Sequence, residues 1–199
     1  GTSGELSLVG AVTAILGSIS VILFPFLESL IKRKAIYVGG ICLMLVGYVI
    51  FNFAGTNLFL VLLAISLIFF PYPMIFLAAL MTITDRVEYG QLRLGTRNES
   101  VTLAVRPLLD KLAGAFANGI VGIAAVHAGM IGNAKPSDIS ASQMLNFKTY
   151  IFYAPMVMLV IAAIVYLTKV TLTEAKHAEV VKELEKKLGA DSEDIAKIK

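Results

Sequence analysis

Three charged residues stand within one long apolar stretch, Ser100–Met130: Arg106, Asp110 and Lys111. An ionisable side chain inside a membrane-spanning helix costs about 2.5–3.5 kcal/mol on insertion scales, and such groups pair with one another or line a pathway. Arg106 and Asp110 are four residues apart and share a helical face, where they can form an ion pair. That pair fits a salt bridge holding helices together and equally a polar cavity lining. Lys111 points about 100° away from Asp110, onto a face continued by Ala115, Asn118 and Gly122. Small and polar residues on one face are expected where a helix borders a water-filled cavity. No acidic residue lies at helical spacing on that face, so Lys111 is read as a functional cation.

A second dense group precedes it. The stretch from Asp85 to Glu99 reads as a loop carrying Asp85, Arg86, Glu88, Tyr89, Gly90, Arg93, Arg97 and Glu99. Thr96 to Glu99 has the form of a capping box that opens the next helix. Charges of both signs in such a loop can form a network that latches one conformation, or can simply be solvated. Enzyme chemistry finds little support. The two histidines, His127 near one helix end and His177 in a polar tail, are far apart, and His177 reads as a solvated side chain. No HExxH, GxSxG, phosphate-cradling loop or CxxC pair occurs. Cys42 is the lone cysteine, so no disulfide framework is available.

The elements that must position these groups are membrane helices. Apolar residues make up 57% of the 199-residue chain and charged residues 16%, against about 25% charged in soluble domains. Mean hydropathy is +0.81. Five stretches, about 6–31, 35–54, 58–83, 100–130 and 146–168, reach the ~20 residues that cross a ~30 Å hydrocarbon core as a helix. A barrel would alternate polar with apolar residues, so the expected fold is an all-α polytopic membrane bundle over 1–169, with a polar tail over 170–199. The net charge of +3 does not point to nucleic acid, because the basic residues sit at span ends and in the tail. Thirteen of them fall on one side and two, Lys135 and Lys148, on the other. The positive side is normally cytoplasmic, which puts the amino terminus outside and the carboxyl terminus inside. An odd number of spans starting outside, behind Gly1-Thr2-Ser3 and no export signal, leads us to expect the end of a longer protein.

Pro25, Pro71, Pro73, Pro107 and Pro155 interrupt the spans and are expected to bend them. Gly10, Ala14 and Gly17 on the first span, and Gly114, Gly119 and Gly122 on the fourth, form small-residue stripes suited to close helix packing. In the tail, Thr171 to Glu174 has the form of a capping box. Apolar residues at Leu172, Ala175, Ala178, Val181, Leu184 and Leu188 follow near helical spacing, which predicts a surface helix. The last stretch, 190–199, reads as a linker.

Asp85-x-x-Glu88-Tyr89-Gly90 followed by Gly95-x-Arg97-x-Glu99 resembles the signature loop of the glycoside–pentoside–hexuronide:cation symporters, the melibiose-permease family of the major facilitator fold. The run from Arg97 to Lys111 and the run from Val170 to Ala178 are most similar to its lactose and galactoside permeases with a carboxyl-terminal IIA-like domain. The resemblance covers essentially the whole chain. It implies that the five spans are helices eight to twelve of twelve, which agrees with the sidedness deduced from charge. It also implies a sugar site between two six-helix bundles, with Lys111 in the place of a lysine that serves sugar and coupling. Phe76 takes the place of a sugar-stacking aromatic. Melibiose permeases have Trp there, and this chain contains none. Arg106, Asp110 and Asn118 would lie near the same cavity. The coupling cation, H+ or Na+, would be bound mainly by the amino-terminal bundle, and the IIA-like domain would follow the tail.

The expected function is thus the carboxyl-terminal part of a secondary galactoside (lactose):cation symporter or exchanger working by alternating access, embedded in membrane lipid. The alternatives are a major facilitator transporter of a non-sugar substrate and a non-transporting membrane scaffold whose tail docks a cytoplasmic partner.

Overall fold

A computed structural model describes residues 3–95, 99–129 and 139–197. Its helices are α1 (Ser3–Leu30), α2 (Arg33–Phe53), α3 (Leu58–Phe69), α4 (Pro71–Leu94), α5 (Glu99–His127), α6 (Ala141–Lys148), α7 (Ala154–Lys169) and α8 (Glu174–Lys197), with a π-helical turn at Thr149–Tyr153 joining α6 to α7. No strand occurs among the described residues. Five membrane-length rods result: α1, α2, α3 with α4, α5, and α6 with α7.

Proline explains the two interruptions. Pro71 has no N–H to donate and opens α4 directly after Phe70, while the chain keeps a helical course because Phe70 N–H still bonds the Ser66 carbonyl at 3.0 Å. Pro155 likewise leaves the carbonyl four residues back without its donor. The preceding turn widens, with Ala154 N–H reaching back five residues to the Thr149 carbonyl. Hydroxyls inside the spans satisfy themselves locally: Ser66 donates to Leu62 O at 2.7 Å and Thr82 to Ala78 O at 2.8 Å, which removes a polar cost in lipid.

The rod from Leu58 to Leu94 has 37 residues, about 55 Å at 1.5 Å per residue, against a hydrocarbon core of about 30 Å. Its far end must therefore stand clear of the lipid. This corrects the loop assigned to Asp85–Glu99. Asp85, Glu88, Tyr89 and Gly90 are helical and lie on α4, which ends only at Gly95, a C-cap in the left-handed region at φ +71°. Arg97 falls outside the described residues. Glu99 opens α5, and the proposed capping box at Thr96 lies outside them too. The tail departs from expectation in the same direction, since α8 continues to Lys197 through the stretch read as a linker.

α2 is the hub of the packing. Ile41, Met44 and Gly47 are buried on α2, and Ala64, Ile65 and Ile68 on α3. Phe24 of α1, Ile36 of α2 and Met74 and Ala78 of α4 form a second cluster. α7 closes against α2 through stacking of Tyr166 on Tyr37, with ring centroids 3.8 Å apart. α5 is peripheral, and every residue from Pro107 to Ile123 is exposed.

The glycines that permit close approach are Gly40 and Gly47. A Cβ on Gly47 would lie 2.9 Å from the Ala64 carbonyl oxygen and 3.1 Å from Leu67 Cβ, atoms that cannot swing aside. At Gly10, Gly17, Gly114, Gly119 and Gly122 a Cβ would meet nothing within 4 Å, so the glycines of the two stripes singled out from spacing meet no partner among the described residues. Gly47→Ala should therefore lower stability by about 1–3 kcal/mol through overpacking, while Gly10→Ala, with open space at its Cβ, should leave it unchanged or raise it by up to about 1 kcal/mol. Thermal unfolding of the complete protein in detergent measures both.

Candidate functional site

The sequence-derived site residues fall into two groups at different levels of the bundle. In the first, α4 and α5 meet where the Arg106 guanidinium carbon lies 4.5 Å from the Phe76 ring centroid, a cation–π distance. Arg106 Nε is 3.8 Å from Asp110 Oδ2 one turn along α5, a loose ion pair of half-exposed groups. The structure thus gathers Phe76, Arg106 and Asp110. Lys111 and Asn118 lie on exposed faces of α5, and Lys111 has no ion pair or hydrogen bond among the described residues. An aromatic face, a guanidinium, a carboxylate, an ammonium and an amide along one helix pair could serve a polyhydroxylated ligand, since charged groups and amides can bond hydroxyls and a ring can take an apolar C–H face.

The second group is a knot of charges at the end of the bundle where α1 ends, α2 begins and α4 emerges from the spans. Arg33, at the first position of α2, donates through Nε to Glu28 Oε1 of α1 at 2.8 Å and through Nη1 to Asp85 Oδ2 of α4. Only 12% of the Arg33 side chain and 14% of the Asp85 side chain are exposed, so this pair is shielded and each partner needs the other. A small cavity of about 40 Å³, lined in part by Thr82, Asp85, Tyr166 and Glu174, adjoins it. In its wall Tyr166 donates its hydroxyl to Thr82 Oγ1 at 2.8 Å, since the Thr82 proton is already given to Ala78 O.

The tail completes the knot, in a way that spacing misjudged. The capping box assigned to Thr171–Glu174 is not formed, because the chain from Val170 to Thr173 is non-helical and α8 begins at Glu174. Thr173 Oγ1 accepts from Lys176 N–H at 3.4 Å instead. The freed Glu174 carboxylate crosses to α2 and accepts the Arg33 backbone N–H at 2.7 Å. Burial alone would raise the Glu174 carboxyl. The N–H groups of Glu174 and Arg33 and the charges of Arg33 and Lys32 outweigh it and hold the group below its ordinary 4.5. Its stabilising contact is therefore fully present above pH 4.5 and is lost as pH falls through the lower folded value. His177 is not a merely solvated side chain, since its Nε2 donates to Glu88 Oε2 at 2.5 Å and lies 3.6 Å from Asp85 Oδ1.

From the sequence, Arg33 reads only as a marker of sidedness, Glu174 only as part of a capping box and His177 as solvated, and Glu28 has no role. The Asp85-x-x-Glu88 spacing was the available signal, since it places two carboxylates on one helical face that needs cationic partners. Among the described residues, no group of three or more His, Cys, Asp or Glu side chains could hold a metal ion.

Comparison with known proteins accords with this architecture. Residues 1–173 match the family model of the MFS/sugar transport proteins. The chain is 44% identical over 190 residues to a lactose permease of Leuconostoc lactis, covering 96% of this chain and 29% of the relative. It is 47% identical over 186 residues to a raffinose carrier protein of Pediococcus pentosaceus, covering 94% and 29%. It is 39% identical over 188 residues to a lactose permease of Lactobacillus helveticus, again covering 94% and 29%. The chain thus spans somewhat under a third of the length of these relatives. No solved structure matches it. Five apolar rods and a family match over nearly the whole chain lead to one assignment: the chain belongs to the MFS/sugar transport protein family.

Proposed function

We propose that the chain forms the carboxyl-terminal membrane part of a sugar:cation symporter or exchanger for galactosides such as lactose. The observation that carries this reading is the polar surface of α5. Lys111 and Asn118 stand exposed along a membrane-length helix, beside a Phe76–Arg106–Asp110 group, in a chain of sugar-transporter family. Charged side chains facing lipid are costly. A second helical bundle supplied by the rest of the protein would cover this face and enclose a sugar site near the midplane, with transport by alternating access. Identity to lactose permeases and a raffinose carrier supports a galactoside as cargo.

In this reading Lys111 bonds the sugar and couples it to the cation, H+ or Na+, whose own ligands lie mainly in the other bundle. Phe76 stacks on the sugar, while Arg106, Asp110 and Asn118 bond its hydroxyls. The excess of basic residues around Arg33, Arg93 and α8 supports placing the charged knot and the carboxyl terminus in the cytoplasm, with the start of α1 outside. The knot formed by Asp85 and Glu88, with Tyr89, Gly90 and Glu99 nearby in sequence, biases the protein between inward and outward states, and Arg97, outside the described residues, is assigned to the same role by its sequence position alone. A IIA-like domain beyond the tail remains an expectation of the family resemblance.

Lys111→Ala in the complete protein should abolish concentrative uptake in proteoliposomes under a cation gradient, and wild-type accumulation by that variant would overturn the role of Lys111. Phe76→Leu should raise the half-saturation for galactoside about two- to twelvefold, the scale of 0.5–1.5 kcal/mol for aromatic stacking, while Phe76→Tyr stays near wild type. A competition panel including drugs and organic anions separates a sugar site from a non-sugar one.

A further inference from the structure

The contacts of α8 point to a role for the tail in the transport cycle itself. α2 begins at Arg33 without a side-chain cap of its own, because its N-cap position is Lys32. The Arg33 N–H, one of the donors that every helix start leaves open, is satisfied by Glu174 from 141 residues away, and the carboxylate also sits at the positive end of the α2 dipole. His177 is one turn beyond Glu174 on the same face of α8 and holds Glu88 of α4. Val180, three residues further on, is buried. Two positions one turn apart on α8 thus engage two different helices, and a third on the same face is buried. These are the helices whose charged ends Arg33 and Asp85 already join. Movement of the end of α4 away from the start of α2 must break the Arg33–Asp85 pair and must also detach α8 from one of the two.

We propose that Glu174 and His177 are positioning residues for transport: they strap the tail helix across α2 and α4, and release of this strap is a step in opening the charged end of the bundle. Neither side chain lies in the Phe76–Lys111 group, so the strap sets the rate of conformational exchange without setting sugar recognition. Glu88 is the test of His177, since the imidazole is its partner and Asp85 already has Arg33. The proposal rests on the transporter reading, yet the strap itself can be examined apart from transport.

The experiment uses the complete protein in proteoliposomes, with lactose counterflow and amide hydrogen exchange measured on the same preparations. His177→Ala and Glu174→Ala should each change the maximal counterflow rate by at least about threefold, the scale of losing a partly shielded hydrogen bond to a charged group. Half-saturation for lactose should stay within about twofold, well below the tenfold that 1.4 kcal/mol would bring. Glu88→Ala combined with His177→Ala should change the rate no further than either alone, because both remove one contact. His177→Gln, which keeps a donor, should recover much of the rate. Hydrogen exchange should rise in α8 residues 174–184 with the spans unchanged. Additive effects of the Glu88 and His177 changes, a change in half-saturation alone, or unaltered α8 exchange would each overturn the strap. If the wild-type protein shows no counterflow, the transporter reading fails, and α8 exchange in the same variants still decides whether the strap exists.

Discussion

Three carboxylates converge on Arg33, and most of the structure's polar order depends on that convergence. Glu28, Asp85 and Glu174 come from α1, α4 and α8, three elements far apart in the chain. Glu28 and Asp85 meet the guanidinium; Glu174 meets the backbone N–H beneath it. Arginine suits such a site because its planar fork serves two acceptors at once and keeps its charge at any physiological pH. A shielded ion pair is weak evidence for added stability, but it strongly resists the loss of one member. It therefore defines a geometry more than it deepens a well, which suits the joint that the proposed strap requires.

Elsewhere the bundle is held by ordinary apolar packing around α2, made close by Gly40 and Gly47 and squared off by the Tyr37–Tyr166 stack. α5 follows a different logic. Its exposed stretch from Pro107 to Ile123 mixes large apolar residues with Lys111, Asn118 and several glycines, a composition suited neither to uniform lipid contact nor to the core of these five rods. The proposed sugar site and the covering bundle both follow from that mismatch.

Hydropathy made the five spans and the all-α class legible, because length and apolar content are what a bilayer selects. It misplaced the end of α4. Falling hydropathy after Ile83 marks where the rod leaves lipid, whereas a helix ends where a breaker such as Gly95 stands. Periodicity found the Arg106–Asp110 relation, since that pair lies within one helix. It could not find Phe76 against Arg106 without the family resemblance, nor Arg33 with Asp85 or His177 with Glu88, because those contacts depend on how separate helices cross. The capping box at Thr171 failed for a related reason: a distant helix start competed for Glu174 and won. The small-residue stripes meet no partner among the described residues, because spacing identifies a face that can pack and not what meets it.

The account stands on sugar translocation by the complete protein, and lactose counterflow in proteoliposomes measures that most directly. Vesicles preloaded with unlabelled lactose should take up labelled lactose transiently above equilibrium, and excess galactoside should block the uptake. Folded, inserted protein that gives no exchange with lactose or any other galactoside would contradict the assignment of the α4–α5 face to sugar.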